Sequence, residues 1–147
     1  MVYRHILVPI DGSDISFSAA RHAASIAKKF NAKLSFISLV AEDPFNKADF
    51  YYSSSIMKEY FLQAYDNAQE ALSQARQAVE SIGVEPALKI INGEVSAQHI
   101  VSQAEDLGID LIVIGSNGRK GFQKMILGSF AQDVLRATNL PVLVIKQ

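Results

Sequence analysis

Leu111-Ile112-Val113-Ile114-Gly115-Ser116-Asn117-Gly118 passes from an unbroken apolar run into a pair of glycines. After nine intervening residues, Arg119 to Leu127, Gly128-Ser129-Phe130 opens a helix-like stretch. Four consecutive branched or aliphatic residues bounded by turn residues read as a strand covered on both faces. A strand that empties through glycines into a helix is half of a β-α-β unit, whose parallel strands need crossover connections. The same junction suits an anionic group. Glycine lets backbone N–H groups approach a ligand closely, and a helix N-terminus adds unpaired donors and a partial positive charge.

Working outward, strand and helix alternate along the whole chain. Ile6 to Ile10 is a second continuous apolar run, punctuated by Asp11-Gly12-Ser13. A helix follows to about Phe30, with Phe17, Ala20, Ala24 and Ala27 on one stripe and Ser13 or Asp14 as N-cap. Leu34 to Val40 reads as a strand, and Ala41 to Ser55 as an irregular connection carrying Pro44, Phe45, Phe50, Tyr51 and Tyr52. Apolar residues at spacings of three and four (Ile56, Tyr60, Ala64, Ala68, Ala71, Ala75, Val79, Ile82) predict one long helix with a core face, ending before Gly83. Ala87 to Ile91 is a short strand closed by Asn92-Gly93. Helices over Ser96 to Leu107 and Phe130 to Ala137 flank the Leu111–Ile114 strand, and Val142 to Ile145 is the last strand.

This alternation predicts an α/β fold: one domain over residues 1–147, a doubly wound five-stranded parallel sheet of order 3-2-1-4-5 with helices on both faces. Ligands of such sheets sit beyond the carboxyl ends of the strands where the order reverses. That point lies between the first and fourth strands, whose ends carry Asp11-Gly12-Ser13 and the glycine block.

Composition limits the function classes. The 147 residues are 49% hydrophobic and carry a net charge of -1, so no broad basic field points to nucleic acid or an anionic membrane. The absence of cysteine rules out disulfides and thiolate metal sites. No apolar run approaches the ~20 residues of a membrane span, and Ile6–Ile10 is too short for a signal h-region, so a cytoplasmic protein is expected. His5, His22 and His99 lack ligand spacing, and surface or helix-flank positions are expected for them. Asp11 is either a polar stop after a buried strand or a ligand contact. The glycine block is either a flexible loop before a capped helix or a phosphate cradle. A phosphorelay receiver is rejected, because the third strand ends in Asn92-Gly93 where that scheme requires an acceptor Asp.

The chain resembles the universal stress protein family over essentially its whole length. The resemblance rests on Ile6-Leu7-Val8-Pro9-Ile10-Asp11-Gly12-Ser13, the strand ending at Val40, the Pro141–Ile145 finish, and the pattern G-x2-G-x9-G-[ST] from Gly115 to Ser129. That pattern marks the family's ATP-binding branch. The resemblance implies that Pro9, Ile10, Asp11 and the backbone at Val40 contact the adenine and ribose end. Gly115, Ser116, Asn117, Gly118 and Arg119 would wrap ribose and phosphates. Gly128, Ser129 and Phe130 would face the β- and γ-phosphates. It further implies a homodimer formed through the edge strand Val142–Ile145. Position 117, often His or Arg in the family, is Asn here. Ser129, with Gln132 three residues on, reads also as a capping-box residue, and Arg119, Lys120 and Lys124 as a screen for phosphate charge. The 115–129 block contains no Asp or Glu, which disfavours rapid ATP hydrolysis. Any Mg²⁺ or Mn²⁺ would be held chiefly through the phosphates.

Overall fold

The computed structural model describes residues 2–42, 55–117 and 127–146. The aromatic-bearing stretch from Pro44 to Tyr52 lies outside them. Among the described residues ten elements follow one another: β1 (His5–Pro9), α1 (Asp14–Phe30), β2 (Lys33–Ala41), α2 (Ser55–Val79), a 3-10 turn (Glu80–Ile82), β3 (Ala87–Gly93), α3 (Ala97–Leu107), β4 (Leu111–Gly115), α4 (Ser129–Ala137) and β5 (Val142–Ile145). The strands form one parallel sheet of order β3-β2-β1-β4-β5, as the alternation predicts.

Both faces are covered, which explains the unbroken apolar runs. Ile6, Val8, Leu34, Phe36, Leu111 and Val113 point to one face, against the alanine stripe of α1 and the second half of α2. Leu7, Ile37, Ile112 and Ile114 point to the other, against Ile100 and Ala104 of α3 and Val134 of α4. Alternate residues of a strand face opposite sides, so a strand covered twice must be apolar throughout. Ala20, Ala23 and Ala24 are fully buried, and small residues there let α1 lie close on the sheet. Ser13 caps α1, its Oγ accepting from the Ser16 N–H at 3.2 Å.

Three expectations need correction. The long helix ends at Val79 and tightens into the 3-10 turn before Gly83. Its apolar stripe is buried only from Ala68 onward, while Ile56 and Tyr60 are 78% and 63% exposed. Periodicity reports that a helix has an apolar face but not how far the sheet extends beneath it. β3 continues through Asn92-Gly93 instead of stopping at Ile91, because Val40 and Ala41 pair with those two residues. His5 is not a surface or helix-flank residue: it lies in β1, and its Nε2 shares a 2.7 Å hydrogen bond with Ser35 Oγ of β2.

At the amino-terminal end of the sheet, the Asp110 carboxylate accepts from the backbone N–H groups of Arg4 (2.8 Å) and His5 (3.1 Å). The imidazole of His5 is held below its usual value of about 6.5, chiefly because burial removes it from water. The positive charge of Lys33 adds to this, and a hydrogen bond with the Leu107 backbone and the Asp110 charge oppose it. A lowered value means the unfolded chain takes up the proton first. The associated stability is therefore complete above about pH 6.5 and is lost as the pH falls below it. Melting temperatures between pH 7.5 and 5.5 should fall in the native protein and fall less in His5→Gln; identical slopes would contradict this account.

Candidate functional site

At the carboxyl ends of β1 and β4 the sheet order reverses, and a cavity of about 650 Å³ opens there. This is the size range of small-molecule sites. Each wall follows from local sequence. β1 delivers Pro9, Ile10 and Asp11, and Gly12 turns the chain at φ 83°, a left-handed conformation that favours glycine. The carboxylate Oδ1 of Asp11 accepts from both the backbone N–H (2.9 Å) and the hydroxyl of Ser13. Asp11 is thus a turn residue and an exposed member of the cavity wall at once; the two readings are compatible.

The glycine block supplies the facing wall. Gly115, Ser116 and Asn117 line the cavity, as do Gly128, Ser129 and Phe130. Gly118 and Arg119, with Lys120 and Lys124, lie outside the described residues. The block is drawn together at its base, where the Gly128 N–H donates to the Ser116 carbonyl at 2.7 Å. The approach is so close that a Cβ on Gly128 would stand 2.9 Å from the Ser116 oxygen and 3.3 Å from Asn117 Cα. The backbone of Gly128 (φ -63°, ψ 156°) is open to any residue, so space, not conformation, requires glycine there. At Gly115 a Cβ would meet two side-chain carbons of Ile15 at 3.0 Å, with the Ile15 backbone carbon at an ordinary 3.4 Å.

Ser129 is not the helix cap. It is the first residue of α4; Gly128 occupies the N-cap position and has no side chain with which to cap. Gln132 Nε2 instead donates to the Leu127 carbonyl at 2.6 Å, and the Gln132 N–H to the Gly128 carbonyl at 3.0 Å. The capping-box spacing is present, but the close passage of Gly128 over Ser116 moves the start of the helix by one residue. The N–H groups of residues 129–131 come before that first intrahelical bond. All three residues line the cavity.

Val40 is buried and paired with Asn92, and the β2 residues along the described wall are Ile37, Ser38 and Leu39. Sequence reasoning also missed an entire side: α2 contributes Ala64, Asn67, Ala68 and Ala71, and the region of α3 adds Val95 and Ile100. The alanines at intervals of four and three were a usable signal, since small residues on a helix face leave room for something besides the sheet. Among the described wall residues Asp11 is the one acidic side chain, and no group of three or more metal-ligating side chains occurs among the described residues.

A doubly wound parallel sheet with a cavity at its switch point, walled by a strand-to-helix glycine turn, is an α/β architecture whose ligand sites generally lie beyond the carboxyl ends of the strands. The model of the universal stress protein family matches residues 2–146, and the chain belongs to that family. It is 37% identical over 146 residues to universal stress protein MJ0531 of Methanocaldococcus jannaschii, covering 99% of this chain and 84% of that one. Among solved structures it is similar to the universal stress protein UspA from Lactobacillus plantarum (TM-score 0.78, 27% identity, 99% of each chain). It is also similar to the universal stress protein from Archaeoglobus fulgidus in complex with dAMP (TM-score 0.69, 25% identity, 99% of each chain).

Gly128→Ala should cost about 1–3 kcal/mol, as overpacking against fixed backbone does. Gly115→Ala should cost less, because the Ile15 side chain can turn aside. Thermal melting of both variants checks the order; a Gly115→Ala protein as unstable as Gly128→Ala would contradict it.

Proposed function

We propose that this protein is an ATP-binding regulatory module that holds its nucleotide and does not turn it over rapidly. The observation that carries this reading is the uncapped start of α4. Gly128 offers no side chain to the first N–H groups of the helix, and the residues bearing them line a cavity of nucleotide size. Donors left open at a helix N-terminus favour an anionic ligand, and a phosphate supplies both charge and acceptors. Asp11 lies on the wall beyond β1, where a carboxylate suits ribose hydroxyls. The apolar remainder, including Ile37, Leu39 and Ile100, suits the flat face of adenine. The complex of the Archaeoglobus fulgidus relative with an adenine nucleotide supports the same ligand class here, and the Gly115–Ser129 spacing favours a triphosphate.

Retention without rapid hydrolysis rests on the acid inventory. Hydrolysis requires a group that positions the attacking water and normally a carboxylate that holds the metal. In the described wall only Asp11 has the chemistry, and its Oδ1 already serves Ser13. Such a donor set does not make a protein-held metal site; Mg²⁺ or Mn²⁺ would depend on phosphate oxygens.

The proposal extends to a cytoplasmic homodimer joined through β5. That strand pairs with β4 at the sheet edge, and its Leu143 is 36% exposed. An apolar edge strand is an association surface unless it is covered. Sedimentation should show a dimer at micromolar concentration, and a monomer throughout would remove this part of the proposal.

Protein purified without added nucleotide, then denatured and extracted, should release adenine nucleotide. Stripped protein should melt higher with ATP, by the equivalent of about 2.7 kcal/mol at 100 times the dissociation constant. Asp11→Ala should reduce that gain. A protein that releases no nucleotide and whose melting is unmoved by millimolar ATP would refute the reading.

A further inference from the structure

The cavity continues around the end of β2 from one face of the sheet to the other. Ile37 and Leu39 line it on the α3 side, and Ala64, Asn67, Ala68 and Ala71 of α2 line it on the opposite side. The sheet order sets a row of positions along this space: the start of α4 beyond β4, Asp11 beyond β1, and α2 beside β2. A nucleotide with its phosphates at α4 and its ribose at Asp11 therefore extends its base toward β2 and α2.

Small residues bring α2 within reach of that base. Ala64, Ala68 and Ala71 present only methyl groups, so the cavity side of the helix is a shallow slot. Asn67 stands three residues after Ala64 and four before Ala71, spacings that share one helix side. It is the one polar side chain that α2 adds to the described wall. Its amide is oriented from within the helix, because Oδ1 accepts from Gln63 Nε2 at 2.9 Å. Nδ2 makes no hydrogen bond among the described residues, and an amide nitrogen is donor only. The neighbouring hydroxyls are committed: Ser16 Oγ donates to the Ser13 carbonyl and Ser38 Oγ to the Ile10 carbonyl, each at 2.7 Å. Ser116 Oγ, which has no partner, belongs to the glycine turn.

We propose that Asn67 reads the base of the bound nucleotide, its Nδ2 donating to a ring nitrogen of adenine. This rests on the nucleotide-binding reading and assigns to α2 the part of the site that recognises the base. A base lying flat against Leu39 turns its edge, not its face, toward α2. That edge carries two kinds of polar group, ring nitrogens that accept and an exocyclic amine that donates. With Oδ1 held by Gln63, the Asn67 amide offers nothing to the amine and meets a ring nitrogen instead. The alanines on either side keep the helix from filling the space that the edge occupies.

The test is calorimetric titration of stripped native protein, Asn67→Leu and Asn67→Asp with ATP and with its 1-deaza, 3-deaza and 7-deaza analogues, each of which replaces one ring nitrogen by C–H. Loss of one bond between neutral groups should weaken ATP about 3- to 10-fold in Asn67→Leu. Asn67→Asp, of the same size but with an acceptor where the donor stood, should weaken it further. One deaza analogue should bind the native protein more weakly than ATP by the factor seen for Asn67→Leu. It should lose nothing more in that variant, the non-additivity of groups in contact. An unchanged ATP affinity in Asn67→Leu, or strictly additive losses for all three analogues, would overturn the proposal. Asn67 is exposed, so ligand-free melting of both variants should match the native protein. If melting is lowered, the analogues still decide, because within one variant all of them meet the same fold. Failure of the native protein to bind ATP overturns the nucleotide reading itself, a result distinct from native binding that is indifferent to Asn67.

Discussion

β1 is hydrogen-bonded in parallel to β2 on one side and to β4 on the other, and the placement of every other element depends on that double pairing. Parallel neighbours cannot be joined by tight turns, so each connection must cross a face of the sheet as a helix. Helices α1 and α2 pack on one face, and α3 and α4 on the other. Chains leaving the carboxyl ends of β1 and β4 therefore diverge to opposite faces, and a gap remains between them. The cavity is a consequence of topology before it is a consequence of any side chain.

What the gap can hold is then decided by a few backbone contacts. The bond from Gly128 to the Ser116 carbonyl joins both ends of the glycine block, and the bond from Ser116 to Ile145 ties that junction to the edge strand. Glycine at 128 permits the close passage, and the same lack of a side chain leaves the start of α4 uncapped. One residue type thus produces both the close passage and the missing N-cap side chain.

Much of this was legible in advance. Strand runs such as Ile6–Ile10 and Leu111–Ile114 are apolar at every position because both faces of the sheet are covered, and their number and alternation with helices predict the sheet order that is found. The positions misread from sequence share one cause, namely that a neighbour distant in the chain overrode a local rule. Ile56 and Tyr60 obey helical periodicity yet extend past the sheet, and His5 is drawn into a bond with Ser35 thirty residues away. Ser129 has capping-box spacing but is displaced into the helix by the Ser116–Gly128 contact. β2 runs one residue past the expected end at Val40, because Ala41 pairs with Gly93 of β3.

The sequence by itself determined the fold class, the switch point and the identity of the glycine turn, because periodicity, strand composition and glycine spacing act over a few neighbouring residues. Only the tertiary structure decided which helix faces complete the cavity, where α4 begins and which buried hydroxyl lacks a partner. Ser16, Ser38 and Ser116 are alike as letters in the chain. Two of them meet a carbonyl and the third does not, and that difference is set by the packing of segments brought together only when the sheet forms.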